Sequence, residues 1–257
     1  MTEIILGLFP SRYTTYIEGF GGGASVLLSK PIGTCEIYND LYENVYSLMK
    51  VISSDEDFKK MKETLDKLYF SEQLHDEFKE DLLRNDLTLV ERAVRFFYVA
   101  RSSFNGIGGF SINLSTRRGM SKSTSDFLSA ITDLTNVHER LSRVVITNRD
   151  VFDLLQKYNN KDTFFYLDPP YVQSTRRSSQ KYAVDFTDEQ HERLIDVALN
   201  SKAKILISGY DSPIYRRLET KFHKYTFKSP NAVSKAEEVL WYNYEHSSNV
   251  MNEFFEK

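Results

Sequence analysis

The stretch Thr163-Phe164-Phe165-Tyr166-Leu167-Asp168-Pro169-Pro170-Tyr171 decides how the chain is read. Residues 163–167 form a short apolar run, the pattern of a buried strand. The run stops abruptly, because two consecutive prolines hold φ near −65° and offer no N–H to a ladder. The carboxyl end of that strand therefore presents a carboxylate, Asp168, beside outward backbone carbonyls and the ring of Tyr171. In open α/β sheets that edge is where ligands sit. The competing reading is a plain Asp-Pro-Pro turn that only ends a strand.

Such a cluster suits methyl transfer to a planar amino nitrogen. An aromatic amine is a poor nucleophile because its lone pair is delocalised into the ring. Acceptance of its two hydrogens by Asp168 and the Pro169 carbonyl localises that lone pair toward an electrophile. Fixed acceptors also stabilise the charge that develops on nitrogen. Tyr171 offers a face on which a flat base stacks.

Upstream, residues 4–9 read as the tail of an amphipathic helix closed by Pro10, Tyr13 to Glu18 as a strand, and Ala24 to Leu28 as a helix. Between strand and helix lies Glu18-Gly19-Phe20-Gly21-Gly22-Gly23-Ala24. A glycine-rich turn in that place lets a ligand approach the backbone, although such turns also serve as punctuation. The carboxylate at the strand end favours a ligand carrying an ammonium or hydroxyl group. The next strand, Thr34 to Tyr38, ends in Asn39-Asp40. An acidic residue about 20 positions past a glycine turn is where nucleoside-binding α/β folds grip ribose hydroxyls. Asp40 would serve equally as N-cap of a helix over Tyr42–Ile52.

From about Ser53 the pattern turns helical, over residues 55–68, 71–83 and 87–102. In the last, Val90, Ala93, Val94, Phe97 and Ala100 recur at helical spacing. Ser54 and either Asp86 or Thr88 are the caps. Ser103 to Phe110 is turn chemistry with exposed apolar residues, followed by a short polar hairpin or loop through Thr116-Arg117-Arg118-Gly119. This block reads as a recognition insert or as a structural helical subdomain.

Strand-like alternation resumes at Arg143–Asn148. Asp150 then opens a helix through Tyr158, where it caps the helix or accepts a base amino group, with Phe152 against the ring. Beyond the deciding stretch come a helix over Thr187–Leu199 with Thr187 as N-cap and Gln190 three residues on, and a buried strand over Lys204–Ser208. A final strand pair, Phe222–Phe227 and Glu238–Asn243, turns around Asn231-Ala232. The repeated β–α pattern with carboxylates at several strand ends indicates an α/β fold.

Of the 257 residues, 41% are hydrophobic and 27% charged, the balance of a soluble globular chain. No apolar run approaches the roughly 18 residues of a membrane span, and no signal peptide is evident. The single cysteine, Cys35, excludes an intramolecular disulfide, fits a reducing cytoplasm, and is expected to be buried in its strand. The five histidines are scattered without zinc spacing, so no metal site is expected. Net charge is −3, but positive charge is clustered: Arg117 and Arg118 with Lys122, Arg176 and Arg177 with Lys181, and Arg216 and Arg217 with Lys221 and Lys224. Such clusters are usually solvated faces. The first two flank the motifs above, and the second lies in a polar loop suited to gripping phosphates.

Taken in order, Tyr16-Ile17-Glu18-Gly19-Phe20-Gly21-Gly22-Gly23-Ala24, Asn39-Asp40, Phe104-Asn105-Gly106, Asp150-Val151-Phe152 and Asp168-Pro169-Pro170-Tyr171 resemble the DNA adenine-N6 methyltransferases of the Dam-like class. The likeness covers nearly the whole chain. It implies a Rossmann-like S-adenosylmethionine-dependent methyltransferase sheet with helices on both faces, formed by residues 1–52 and 141–257. It also implies an inserted, mainly helical target-recognition domain over 53–140. Glu18, Gly19, Phe20, Gly22 and Gly23 would hold the methionine part of S-adenosylmethionine, Asp40 its ribose, and Asp150, Val151 and Phe152 its adenine. Asp168, Pro169, Pro170 and Tyr171 would bind and activate a target adenine flipped out of double-stranded DNA, with Asp168 also bordering the cofactor.

Phe104, Asn105 and Ile107, with Arg117, Arg118, Lys122, Arg176, Arg177 and Lys181, would contact the DNA, Phe104 and Ile107 as wedges into the base stack. A cytoplasmic enzyme of a bacterium or phage-infected cell is implied, its oligomeric state open, a monomer included. Three departures stand out. Ala24 occupies the third glycine position of the family's Phe-x-Gly-x-Gly pattern. Gly109 stands where GATC-reading members carry a guanine-reading arginine, so GATC is not expected. The chain also begins after the family's Gly-Gly-Lys segment, which touches the cofactor carboxylate, so that either the start is truncated or the cofactor site is incomplete. This leaves a second expectation, a catalytically impaired DNA-binding relic of the same fold.

Overall fold

Residues 163–167 form a strand buried at every position, in the middle of a seven-stranded sheet. The computed structural model describes residues 1–106, 108–172, 186–228 and 237–245. Ile107, Arg176, Arg177, Lys181 and the Asn231-Ala232 turn lie outside the described residues, as does the Asn105 side chain. In chain order the elements are α1 (Thr2–Gly7), β1 (Thr15–Glu18), α2 (Ser25–Ser29), β2 (Cys35–Asn39), α3 (Glu43–Ser53), α4 (Asp55–Leu65), α5 (Glu72–Asp81) and α6 (Leu89–Ser102). A short hairpin of β3 (Thr116–Arg117) and β4 (Met120–Ser121) follows, then α7 (Lys122–Leu141), β5 (Val145–Thr147), α8 (Val151–Lys157) and β6 (Thr163–Leu167). The chain continues through α9 (Asp188–Leu199), β7 (Lys204–Tyr210), β8 (His223–Lys228) and β9 (Glu237–Tyr242).

Packing divides the chain into two units, Met1–Tyr42 with Thr147–Lys257, and Glu43–Ile146. These divisions fall at 42/43 and 146/147 rather than at the sequence-derived 52/53 and 140/141. The difference is α3, whose main packing partner is α6 of the helical unit.

The sheet order is β5-β2-β1-β6-β7-β9-β8, with β2, β1, β6 and β7 mutually parallel and β9 and β8 antiparallel to their neighbours. From β1 the chain steps one way to β2, and from β6 it steps the other way to β7. The β1–β6 boundary is therefore the topological switch point, where a parallel sheet opens a crevice beyond its carboxyl ends. One face of the sheet carries Ile17, Phe165, Leu167, Ile205 and Ile207, packed with Leu154 of α8 and Leu194 of α9. The aromatic residues Phe9, Tyr13, Tyr16, Phe164 and Tyr244 pack ring on ring in a second cluster. The result is the expected α/β sheet flanked by helices, with an inserted helical region. Among the described residues no helix is long and apolar enough to cross a membrane.

In the helical unit, Thr88 and Glu91 form a capping box that starts α6, and Ala93, Val94 and Phe97 are its buried stripe. Arg118 (φ 54°) and Gly119 (φ 75°) make the two-residue loop between β3 and β4, the left-handed pair that a tight hairpin turn needs. Helix α7 has no counterpart in the sequence reading. Ser121 caps it through the Thr124 N–H, and it buries Phe127, Ile131 and Leu134. Cys35 is exposed, contrary to expectation. It is the first residue of β2, where the strand enters the sheet, and only the following four positions are buried.

Candidate active site at the β1 and β6 strand ends

Glu18 of β1 is level with Tyr166 of β6, and the Gly19 N–H donates to the Tyr166 carbonyl at 3.0 Å. The glycine turn and the Asp168 cluster thus leave the sheet side by side. On the other flank of β6, Leu167 is level with Ile207, which brings Ser208 of β7 beside Asp168. The Ser208 hydroxyl lies 2.7 Å from Asp168 Oδ1 and 3.1 Å from the Tyr166 hydroxyl. Asp168 is partly buried, and burial pushes its carboxyl up to about 6. The Ser208 hydrogen bond opposes that shift, and the charge of Glu238 adds to it. Pro169 is buried. The Tyr171 ring packs on Tyr210, centroids 4.4 Å apart.

In the glycine turn, Glu18 is buried and accepts the Tyr16 hydroxyl at 2.7 Å. Burial raises its carboxyl to about 8, against the bonds from Tyr16 and the Leu27 backbone, while the charge of Asp168 raises it further. The glycines divide by role. A Cβ at Gly19 would sit 2.6 Å from Leu167 Cδ2, and one at Gly21 would sit 2.0 Å from the Tyr38 ring. At Gly22 and Gly23 a Cβ would meet nothing within 4 Å. The first two are glycines for packing, and the second two line open space. Gly22 (φ 48°) donates its N–H to Asp40 Oδ2 at 2.8 Å, while Asp40 Oδ1 accepts the Tyr42 N–H at 2.8 Å. Asp40 thus braces the turn and the following segment at once, and burial raises its carboxyl against both bonds. Ala24 holds φ 56°, the left-handed conformation that explains a glycine preference at that position.

Asn39 is the organiser that sequence reasoning quoted but did not assign. It is buried, and its Nδ2 donates to the carbonyls of Gly19 and Arg149, each at 3.0 Å. Its Oδ1 accepts the Thr147 hydroxyl and the Arg149 N–H, each at 2.9 Å. Both donors and both acceptor positions of the amide are therefore used, joining three strand ends. Asp150 caps α8 through the Phe152 N–H at 2.8 Å. Val151 is buried near Gly19. Phe152 is buried too, with the Arg193 guanidinium 3.9 Å from its ring centroid and Phe186 stacked at 6.1 Å, so its ring is packed against protein. Phe20 is half-buried and meets Phe186 edge-on at 5.3 Å.

The remaining described residues predicted from the sequence, Phe104, Arg117, Arg118 and Lys122, lie in the helical unit. Phe104 is 65% exposed, in a 3₁₀ turn spanning Phe104–Gly106. Arg117 and Lys122 share the Asp126 carboxylate, whereas Arg118 donates to the Ser129 hydroxyl at 3.1 Å. Ser208, Tyr166 and Tyr210, which the sequence reading gave no role in the site, were signalled only by a polar or aromatic residue near a strand tip.

A glycine turn and an acidic cluster at one switch point agree with what family comparison finds. Residues 1–240 match the D12 class N6 adenine-specific DNA methyltransferases. The chain belongs to that family. This D12-class chain is 28% identical over 204 residues to the type II methyltransferase M.MjaIII of Methanocaldococcus jannaschii, covering 70% of this chain and 66%, just under two thirds, of that protein. It is 24% identical over 236 residues to the type II methyltransferase M.CviBI of Paramecium bursaria Chlorella virus NC1A, covering 83% of each. Membership in the D12 class implies a fold that binds S-adenosylmethionine. The residues present fit such a ligand, with open space over Gly22 and Gly23 and the buried Glu18 carboxyl at the start of the same turn.

Proposed function

We propose that the chain is a Dam-like DNA adenine-N6 methyltransferase that methylates an adenine flipped out of double-stranded DNA. The observation that carries this reading is the position of Asp168, at the switch point beside the glycine turn, with Oδ1 held by Ser208. Oδ2 carries no hydrogen bond among the described residues. With its carboxyl near 6, Asp168 is ionised at neutral pH and acts purely as an acceptor. Asp168 Oδ2 and the Pro169 carbonyl take the two hydrogens of the adenine amine, which localises the nitrogen lone pair. They also stabilise the positive charge that grows on nitrogen. Pro170 keeps the carbonyls rigid, and Tyr171 stacks on the base, worth about 1–3 kcal/mol.

Glu18, Gly19, Phe20, Gly22 and Gly23 would hold the amino-acid part of S-adenosylmethionine, Asp40 the ribose, and Asp150, Val151 and Phe152 the adenine. When bound, that cofactor supplies an electrophilic methyl group on a sulfonium. Residues 53–140 serve as the target-recognition segment, with Phe104, Asn105, Ile107, Arg117, Arg118 and Lys122 toward DNA. Arg176, Arg177 and Lys181 grip phosphates. Gly109 argues against GATC as the target. The reaction takes place in the cytoplasm of a bacterial or phage-infected cell.

The test is incubation with methyl-labelled S-adenosylmethionine and unmethylated plasmid DNA, followed by nucleoside analysis. N6-methyladenine is expected from the wild type and none from a folded Asp168→Ala variant. Full activity in that variant refutes the proposal.

A further inference from the structure

Asp168 is the end of a hydrogen-bonded chain that begins inside the sheet. Ser208 Oγ has three polar neighbours: Asp168 Oδ1 at 2.7 Å, the Tyr166 hydroxyl at 3.1 Å and the Leu167 carbonyl at 3.3 Å. A serine hydroxyl has one proton to give, and the carboxylate is both the nearest acceptor and the strongest. Once that proton is committed to Asp168, the Tyr166 hydroxyl donates to Ser208 Oγ. The order is Tyr166 to Ser208 to Asp168. Tyr166 and Ser208 are 3% and 7% exposed, so water does not readily replace either. Two residues from two neighbouring strands, Tyr166 and Ser208, therefore fix one carboxylate oxygen of Asp168. The other is left as the oxygen without a hydrogen bond among the described residues.

We propose that Ser208, backed by Tyr166, is a positioning residue that occupies Asp168 Oδ1 and thereby aims Oδ2 at the amine of the target base. This role rests on the methyl-transfer reading, whereas the hydrogen-bond chain does not. A serine that only satisfied a buried strand end would affect stability. A positioning serine also controls the ionisation of Asp168 and the rate of the chemical step, and leaves substrate affinity alone.

Two measurements on Ser208→Ala, Tyr166→Phe and Ser208→Thr decide the matter. The first is a carbon-detected NMR titration of the Asp168 carboxyl in the free protein, which needs no turnover. Losing a bond that favours the ionised form moves the midpoint upward, by about one pH unit in Ser208→Ala. Tyr166→Phe moves it the same way by less, and Ser208→Thr, which keeps the hydroxyl, holds it near the wild-type value. Tyr166→Phe opens no cavity and carries the test if Ser208→Ala does not fold. An unmoved midpoint in the folded variants overturns the inference.

The second measurement is methyl transfer to plasmid DNA. Ser208→Ala should lower kcat roughly ten- to a hundred-fold, with KM for DNA and cofactor within about two-fold. The acidic limb of the pH profile should move to higher pH, and Ser208→Thr should restore the rate. A shifted titration with unchanged kcat overturns the positioning role. A wild type that titrates as expected yet methylates no DNA overturns the methyl-transfer reading and leaves the Ser208–Asp168 bond supported.

Discussion

The amide of Asn39 donates to the Gly19 carbonyl at 3.0 Å and so fastens the tip of β2 to the tip of β1. The same side chain holds Arg149 and Thr147 at the start of the segment leading to α8. Its replacement by alanine strands the buried Gly19 carbonyl and the partly buried carbonyl and N–H of Arg149, while the Thr147 hydroxyl keeps the Tyr38 carbonyl at 3.1 Å. Asn39→Ala is therefore expected to cost about 2–4 kcal/mol, several bonds each worth about 1 kcal/mol net. Urea denaturation measures the loss. Binding of S-adenosylmethionine by calorimetry should weaken more than in a surface variant of equal stability, because the glycine turn loses its anchor. A loss below about 1 kcal/mol would mean that Asn39 braces nothing.

Gly21 and Gly23 are two residues apart and should respond in opposite ways. A methyl at Gly21 collides with the fully buried Tyr38 ring, whose hydroxyl also donates to the Gly22 carbonyl at 2.7 Å. Gly21→Ala should cost about 3 kcal/mol or prevent folding. Gly23→Ala meets no atom within 4 Å and has no positive φ to forbid it. Its melting temperature should stay within about 2 °C of wild type. If the open space is where the cofactor rests, its affinity falls all the same. Unchanged affinity in Gly23→Ala would take that turn out of the cofactor site.

How far these features could be read in advance depended on how local their causes are. The β6 strand was legible to the residue, because an apolar run closed by Pro169-Pro170 needs no partner to be recognised. So was the Thr187/Gln190 capping box of α9, a pattern four residues long. Helix α7 was not, because its first turn, Lys122-Ser123-Thr124-Ser125, has the composition of a loop and its apolar stripe begins only at Phe127. The switch point placed the site, but which groups hold Asp168 depends on register between strands some 40 residues apart, and on that the sequence is silent. Asn39 shows the same limit, since its partners at Thr147 and Arg149 lie about 110 residues away.

Glu18 makes folding stability fall as pH rises. Its carboxyl stands near 8 in the folded chain against an ordinary value of 4.5, so the native state binds the proton more tightly than the unfolded state does. That contribution is complete below about pH 4.5 and is lost as pH rises through 8. The size is a few kcal/mol at most. Asp168, raised to about 6, acts in the same direction over a lower range. Urea unfolding at pH 5, 7 and 8.5 should show a steady decline in the wild type and a flatter one in Glu18→Gln. Equal slopes in the two proteins would show that Glu18 is ionised throughout and paired with a cation.

Arg118 should contribute most among the hairpin cations to binding DNA. Arg117 and Lys122 both bond the Asp126 carboxylate, so each gives up part of an existing ion pair to meet a phosphate. Arg118 is held by a neutral hydroxyl and sits at the turn, where its left-handed backbone fixes its direction. A cation that engages phosphate releases counterions and steepens the salt dependence by about 0.9 per contact. Arg118→Ala should reduce the slope of log affinity against log salt by about that amount, and Arg117→Ala by less. Asp126→Asn, which frees both partners, should tighten binding. Fluorescence anisotropy on a labelled duplex over a salt series reads all three. A wild-type slope in Arg118→Ala would take the hairpin out of the DNA interface, whatever becomes of the chemistry at Asp168.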